Sequence, residues 1–194
     1  MIEKDYTHNG GTGIPGLETF YEAVERMFWE KDIKCEKPNF KSYNTLIFEG
    51  AQGIMLDQDY GFFPHVTWSK TGCRNLTEDA TPDQIMYVTR AYQTRHGAGP
   101  TFGNPITVNN PDETNTDEGY QGEFRIRELD IDLLKYALEC DALSAPPTAE
   151  KNLVITCVDQ IEYKLPIDVM YDKLGVDNIY LCNSPECKNL TKTK

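Results

Sequence analysis

Four short runs in this sequence carry residue types suited to meeting a small anionic ligand. Gly50-Ala51-Gln52-Gly53, His96-Gly97-Ala98-Gly99-Pro100, Asp159-Gln160 and Cys182-Asn183-Ser184-Pro185 each follow an apolar run. Small and turn-forming residues let a ligand approach the backbone, whose amides bind phosphate. Gln52, between two glycines, adds an amide that both donates and accepts. Arg125 and Arg127 alternate, so in an extended loop their two forks face one way and could hold carboxylates; a solvated charge pair is the plainer reading. Asp57 and Asp59 alternate in the same way and suggest either metal ligation or structural hydrogen bonding. His8, His65 and His96 read as solvated or satisfied histidines rather than catalysts. Of six cysteines only Cys182 and Cys187 are close, and no Cys-x-x-Cys pair exists, so reduced structural thiols are expected rather than a zinc site.

The elements that would position these runs can be read from pattern. Residues 5–16 are Gly-rich loop. An amphipathic helix is expected over 17–30, with Leu17, Phe20, Val24, Met27 and Phe28 on one face. Residues 45–49 read as a buried strand ended by Gly50. Thr81-Pro82-Asp83-Gln84 has the form of a capped helix start. Tyr87–Arg95 reads as a strand ending at His96-Gly97, and 109–119 as an acidic surface loop. A helix is expected over 130–143, a buried strand over 152–158, a short helix from Pro166 to a stop at Gly175, and a last strand over 178–181. Residues 1–44 thus form a linker and amphipathic helix, 45–187 the main domain and 188–194 a polar tail. Strands alternating with helices imply an α/β fold with a mainly parallel sheet flanked by helices. Such sheets are covered on both faces, which fits the continuously apolar strands. They bind ligands beyond the carboxyl ends of their strands, where the four runs lie, so a nucleotide-sized ligand is expected.

The chain has 194 residues, 39% of them hydrophobic, with 11 Tyr and 8 Phe, enough for a real core. Its formal charge of −12, with Lys and Arg scattered, argues against nucleic acid as a partner. No apolar run is long enough to span a membrane, and the first residues lack the pattern of a signal peptide, so a cytoplasmic protein is expected.

Residues 46–67 read Leu-Ile-Phe-Glu-Gly-Ala-Gln-Gly-Ile-Met-Leu-Asp-Gln-Asp-Tyr-Gly-Phe-Phe-Pro-His-Val-Thr. This resembles, without a gap, the adenylosuccinate synthetase pattern of Phe-Glu-Gly-Ala-Gln-Gly, Leu-Asp-x-Asp, Gly and Pro-x-Val-Thr. Residues 91–100, Ala-Tyr-Gln-Thr-Arg-His-Gly-Ala-Gly-Pro, resemble a second signature of that family, in the family's order and rough spacing. Looser likenesses follow: Arg125 and Arg127 to the family's arginine-rich aspartate loop, Thr156-Cys157-Val158-Asp159 to its guanine-reading Thr-Lys-Leu-Asp, and Asn183-Ser184-Pro185 to the segment that sandwiches the base. The short intervals resemble compact phage and archaeal members.

The resemblance implies a P-loop-NTPase-like synthetase fold lacking its amino-terminal part. It implies a ligase that phosphorylates the C6 oxygen of IMP, or of dGMP in a phage diaminopurine branch, and lets L-aspartate displace the phosphate. The donor would be GTP, or ATP or dATP, with Mg2+. By the same resemblance Gly50, Ala51, Gln52, Gly53, Leu56, Thr67, His96 and Gly97 contact the substrate nucleotide, Gln52 at its C6 region as the catalytic candidate and Thr67 at its 5′-phosphate. Arg125 and Arg127 would hold aspartate, although the family's paired threonines ahead of them are not evident. Thr156, Cys157, Asp159, Asn183, Ser184 and Pro185 would hold the donor. The family's base, acid and phosphate loop lie near its amino terminus. Here Gly10-Gly11-Thr12-Gly13-Ile14-Pro15 lacks the preceding strand and the Lys of such a loop, and no metal ligands are expected in this chain. The implied partners are a second copy, as a homodimer, and a separate amino-terminal fragment. Two other readings stand beside this one: a non-catalytic purine-nucleotide-binding module, and a scaffold or subunit-contact protein.

Overall fold

The computed structural model describes residues 17–30, 39–76, 80–110, 120–185 and 190–193. The Gly10–Pro15 run, His8, Cys35, Cys187 and most of the expected 109–119 loop lie outside them. The chain divides into two compact units, Met1–Leu46 and Ile47–Lys194. The first contains α1 (Leu17–Glu30), the expected amphipathic helix. Within it Phe20, Met27 and Phe28 are exposed and Val24 is half-buried.

The second unit contains β1 (Gln84–Arg90), β2 (Tyr92–His96), β3 (Phe124–Glu128), α2 (Ile131–Ala142), β4 (Glu150–Thr156), α3 (Ile167–Leu174), β5 (Asn178–Leu181) and β6 (Thr191–Lys192). β1, β4 and β5 are neighbours and parallel, with β6 antiparallel at the edge; β2 and β3 form a separate antiparallel pair. The α/β class with a mostly parallel sheet is therefore as expected. Leu153 and Ile155 of β4, Ile179 of β5 and Met170 of α3 are fully buried and form the core with Leu138 of α2. Local signals explain the helices. Asp130 caps α2 by accepting from the Leu133 amide at 3.0 Å, and Gly175 ends α3 in the left-handed conformation.

Five expectations are corrected. Residues 45–49 form no strand, and Leu46, Ile47 and Phe48 are exposed: a strand exists through a neighbour's hydrogen bonds, and no described segment pairs with this one. Thr81–Gln84 starts no helix, because Gln84 opens β1 and pairing with β4 overrides the local cap signal. Tyr87–Arg95 is two strands, not one. The chain changes sheets at Ala91, which is fully buried, its amide donating to Thr156 O at 2.8 Å and its carbonyl accepting from the Tyr163 hydroxyl. The polar tail contributes β6, and Cys182 is disulfide-bonded rather than reduced, its partner lying outside the described residues. Cys73, Cys140 and Cys157 are free.

Between Gly53 and Leu76 the chain has no regular element longer than a turn of 3-10 helix, and buried polar groups hold it. The Asp57 carboxylate is fully buried and accepts from the amides of Asp59 at 2.8 Å, Tyr60 at 3.3 Å and Thr71 at 2.6 Å. It also accepts from the Thr71 hydroxyl at 3.1 Å and from Arg74, whose other arm reaches Asp59 at 2.9 Å. The Arg74 guanidinium lies 4.6 Å from the Tyr60 ring centre. Gly61 is required by space: a Cβ there would come within 2.7 Å of the Asp57 and Met55 carbonyl oxygens. A second buried carboxylate, Asp141 of α2, fastens the segment to the domain by accepting from the Cys73 amide at 2.7 Å and the Tyr87 hydroxyl at 2.9 Å. Burial and this carboxylate push the Cys73 thiol up to about 12, so it stays protonated.

Burial alone would raise the Asp57 carboxyl, but the Asp59 and Thr71 amides, Arg74 and the Thr71 hydroxyl outweigh it and hold it at about 2, against an ordinary 3.8. A depressed folded-state value stabilises the fold above the ordinary carboxylate range, and that contribution is lost as pH falls through the folded value. We expect Asp57→Asn to reduce stability at neutral pH and to abolish a pH-dependent component of about 2 kcal/mol lost between about pH 5 and 2. Urea midpoints across that range measure it; parallel curves for the two proteins would show that Asp57 is not the linked group.

Candidate functional site

The three parallel strands end on one side of the sheet. Arg90 is paired with Thr156, and Ile155 with Leu181, so Ala91, Cys157 and Cys182 leave the carboxyl ends of adjacent strands. The nominated residues of 156–159 and 183–185 therefore lie at that edge. Thr156 is tied to β1 by its hydroxyl, which donates to Thr89 O at 3.2 Å. The Val158 amide donates to Cys182 O at 3.3 Å and so joins the two runs. Asp159, Asn183 and Pro185 are exposed, and Ser184 is half-buried. Cys157 sits at φ 60°, ψ 30°, a left-handed conformation that costs a residue with a Cβ about 1 kcal/mol or more. Gln160 is anchored by the Tyr92 hydroxyl, which donates to its side-chain oxygen at 2.6 Å.

The runs nominated for the substrate nucleotide fall in two groups. Gly50, Ala51, Gln52 and Gly53 are all exposed, and a Cβ at Gly50 or Gly53 would meet nothing within 4 Å. Gln52 has φ 65° and, with Cys157, is one of two non-glycine residues at positive φ among those described. Its side chain makes no hydrogen bond among the described residues, so the reading of a glutamine bonded to its own loop has no support there. Leu56 and Thr67 are brought together directly: the Thr67 amide donates to Leu56 O at 2.7 Å. The Thr67 hydroxyl lies 3.5 Å from that of Ser69.

His96 ends β2 with its ring 4.7 Å from that of Phe124, and Gly97 follows at φ 63° with its amide donating to Glu123 O at 2.9 Å. A Cβ on Gly97 would lie 2.6 Å from Gln121 O, so the close approach demands glycine. Arg125 and Arg127 lie in a strand, β3, rather than in a loop, opposite Arg95 and Gln93 respectively. Arg125 is engaged with the turn after β2: it donates to Gly97 O, to Gly99 O at 3.0 Å and to the Thr101 hydroxyl at 3.4 Å. Arg127 is half-buried and makes no hydrogen bond through its guanidinium among the described residues. Asp57 and Asp59 are structural carboxylates bound to Arg74, and no group of three metal-ligating side chains exists among the described residues.

Sequence reasoning missed Arg74, Asp141, Tyr163 and above all Arg95, which donates both to Ala98 O at 3.1 Å and to His65 O at 3.0 Å. The one available signal for Arg95 was its place inside the 91–100 run.

A family model described as adenylosuccinate synthetase matches residues 13–179. An adenylosuccinate synthetase of Thermoplasma volcanium is 29% identical over 173 residues, 80% of this chain and 36% of that protein. Proteins of the same name from Francisella philomiragia and Francisella tularensis subsp. novicida are 36% identical over 119 residues, 52% of this chain and 26% of theirs. The chain thus spans between 26% and 36% of the length of these relatives. No solved structure matches it. The family match runs from ahead of α1 into β5, through every nominated run but 183–185, and the chain belongs to the adenylosuccinate synthetase family.

Proposed function

We propose that this chain supplies the nucleotide-holding, carboxy-terminal portion of a purine-nucleotide ligase that joins L-aspartate to C6 of IMP or dGMP at the expense of a nucleoside triphosphate. The observation that carries the reading is the placement of two runs, starting at Cys157 and Cys182, on the carboxyl ends of the adjacent parallel strands β4 and β5, with the chain leaving β1 at Ala91 on the same side. Such an edge is where an α/β sheet takes a nucleotide.

In this reading Gln52 follows the C6 oxygen as it changes from carbonyl to phosphate ester, since an amide both donates and accepts. Its exposed, left-handed position between glycines leaves the amide clear of its own loop. Gly50, Ala51, Gly53, Leu56, His96 and Gly97 line the purine, and the Thr67 hydroxyl donates to the 5′-phosphate. Arg127 takes an aspartate carboxylate, with Arg125 beside it steadying the Gly97–Thr101 turn. On the donor, Asp159 accepts from guanine N1 and the 2-amino group, while Thr156, Cys157, Asn183, Ser184 and Pro185 surround the base. Mg2+ would belong with the donor phosphates. The described residues do not fit it, because Asp57 and Asp59 are held by Arg74.

The base, acid and phosphate loop that start this chemistry are not recognisable in the 194 residues, so we expect the isolated chain to release no phosphate from IMP or dGMP, aspartate and GTP. Adding an amino-terminal fragment from a relative should restore turnover. Robust phosphate release by the pure chain would overturn the division of labour; nucleotide binding without rescue would favour the non-catalytic module.

In the reconstituted enzyme, Gln52→Ala should lower kcat by about 100-fold, the usual cost of one oriented hydrogen bond at a developing charge. Thr67→Val should instead weaken nucleotide binding by about tenfold. Steady-state kinetics separate the two effects, and wild-type values for both variants would remove these residues from the site.

Donor choice supplies another test. Two guanine donors face one carboxylate at Asp159, which favours GTP, whereas unprotonated adenine N1 repels it. Against this, Cys157 has neither the stem nor the charge of the family's lysine. We expect relaxed choice, with ATP and dATP competing with GTP in a titration. A GTP preference of about 100-fold, or about 2.7 kcal/mol, would show that Asp159 suffices.

A further inference from the structure

Arg95 lies opposite Arg125 in the β2–β3 pair, two cations side by side. Every hydrogen bond that the two guanidinium groups make among the described residues goes to a neutral oxygen: Ala98 O and His65 O for Arg95, Gly97 O, Gly99 O and the Thr101 hydroxyl for Arg125. Burial and the Arg125 charge both push the Arg95 guanidinium below its ordinary value. A like-charged pair bound only to neutral oxygens is an unfavourable way to build a turn, so it needs a reason beyond packing.

The reason lies in what Arg95 connects. Its Nε holds Ala98 O at 3.1 Å, inside the turn that starts at Gly97. Its Nη2 holds His65 O at 3.0 Å, two residues before Thr67 in the loop folded on Asp57. Gly99, at φ 113°, closes over the guanidinium: a Cβ there would lie 2.4 Å from Nη2. A contact between the Phe62 and Phe102 rings, 5.3 Å apart, links the same two segments, but both rings are partly exposed or more. The polar link fixes carbonyl positions and hence the adjoining amides.

We propose that Arg95 is a positioning residue that sets the distance between the Thr67 loop and the Gly97 turn, and thereby the spacing of phosphate and purine contacts in the substrate-nucleotide site. This rests on the purine-nucleotide reading above. The planar fork is essential to it, because Nε and Nη2 reach two carbonyls in fixed geometry, whereas a lysine ammonium is a point donor on a flexible stem.

The test uses the full chain, titrated calorimetrically with IMP and with dGMP, and amide exchange without nucleotide. Arg95→Met should speed exchange at His65–Trp68 and at Gly97–Thr101 together, leave α2 and β4 protected, and weaken binding by about tenfold. Arg95→Lys keeps the charge but not the fork, and should lose affinity as well; it decides alone if Arg95→Met does not fold. Unchanged exchange at either segment overturns the proposal, as does wild-type affinity in Arg95→Lys, which would make charge the whole effect. A wild-type chain that binds neither nucleotide removes the purine-nucleotide reading and this inference with it. Binding that is equal in wild type and Arg95→Met overturns this inference alone.

Discussion

The structure around the site depends on one buried charge. Removing a carboxylate from water is costly unless its lone pairs are met, and Asp57 meets them with three backbone amides, a hydroxyl and a guanidinium. Those donors come from residues on both sides of a long excursion, so satisfying the charge folds Asp59–Arg74 around a point. Little apolar surface supports this segment: Phe63 and Trp68 are exposed. Its order is electrostatic and directional, and Thr67 inherits its place from it through the Leu56 carbonyl. Asp141 repeats the device one level up, holding the folded segment to α2 and β1 through the Cys73 amide and the Tyr87 hydroxyl. The Tyr136 hydroxyl adds a third tie, donating to Tyr60 O at 2.9 Å.

What was legible in the sequence was what local chemistry decides. α2 follows from Asp130 as a cap and an apolar face, α3 from Pro166 and Gly175, and β4 from the Leu153-Val154-Ile155 run, whose β-branched content suits a strand covered on both faces. What was not legible depended on a distant partner. The break at Ala91 is invisible in Tyr87–Arg95 because it is made by Thr156 and Tyr163, more than sixty residues away in sequence. Thr81–Gln84 carries sound helix-start chemistry, yet Gln84 finds Glu150 across the sheet, and the ladder outweighs the cap. The apolar run at 45–49 shows the converse: strand propensity without a pairing edge leaves Ile47 at 89% exposure.

The candidate site divides in the same way. The family signatures gave residue identities, and alternation rightly placed Arg125 and Arg127 on one face of an extended segment. Alternation could not show that Arg125 is bound up with the Gly97–Thr101 turn while the Arg127 guanidinium makes no hydrogen bond among the described residues, because the difference lies in the turn that follows the opposite strand. Asp57 and Asp59 have the spacing of a ligand pair, and their true partner, Arg74, is fifteen or more residues on. Gln52 and Cys157 look unexceptional in sequence, since nothing in a glutamine or cysteine announces positive φ.

Those two backbone conformations bear on how the site is built. Left-handed φ in a residue with a Cβ is unfavourable by about 1 kcal/mol or more and persists only where the surroundings fix it. At Cys157 the fixing is visible: β4 pairs with β1 up to Thr156 and with β5 up to Ile155, and the following amides are drawn to Cys182 O and Cys157 O. The chain is thereby turned sharply at the sheet edge, and Asp159 is carried into solvent with its carboxylate clear of any ion pair among the described residues. At Gln52 the flanking glycines lower the resistance to the turn, and the side chain emerges exposed. At Cys157 the supporting hydrogen bonds are made by backbone, so the turn makes no demand on the side chain. The conformation at Cys157 therefore belongs to the strand end, fixed by where β4 stops pairing and by the Cys182 carbonyl, and not to the chemistry of the cysteine side chain.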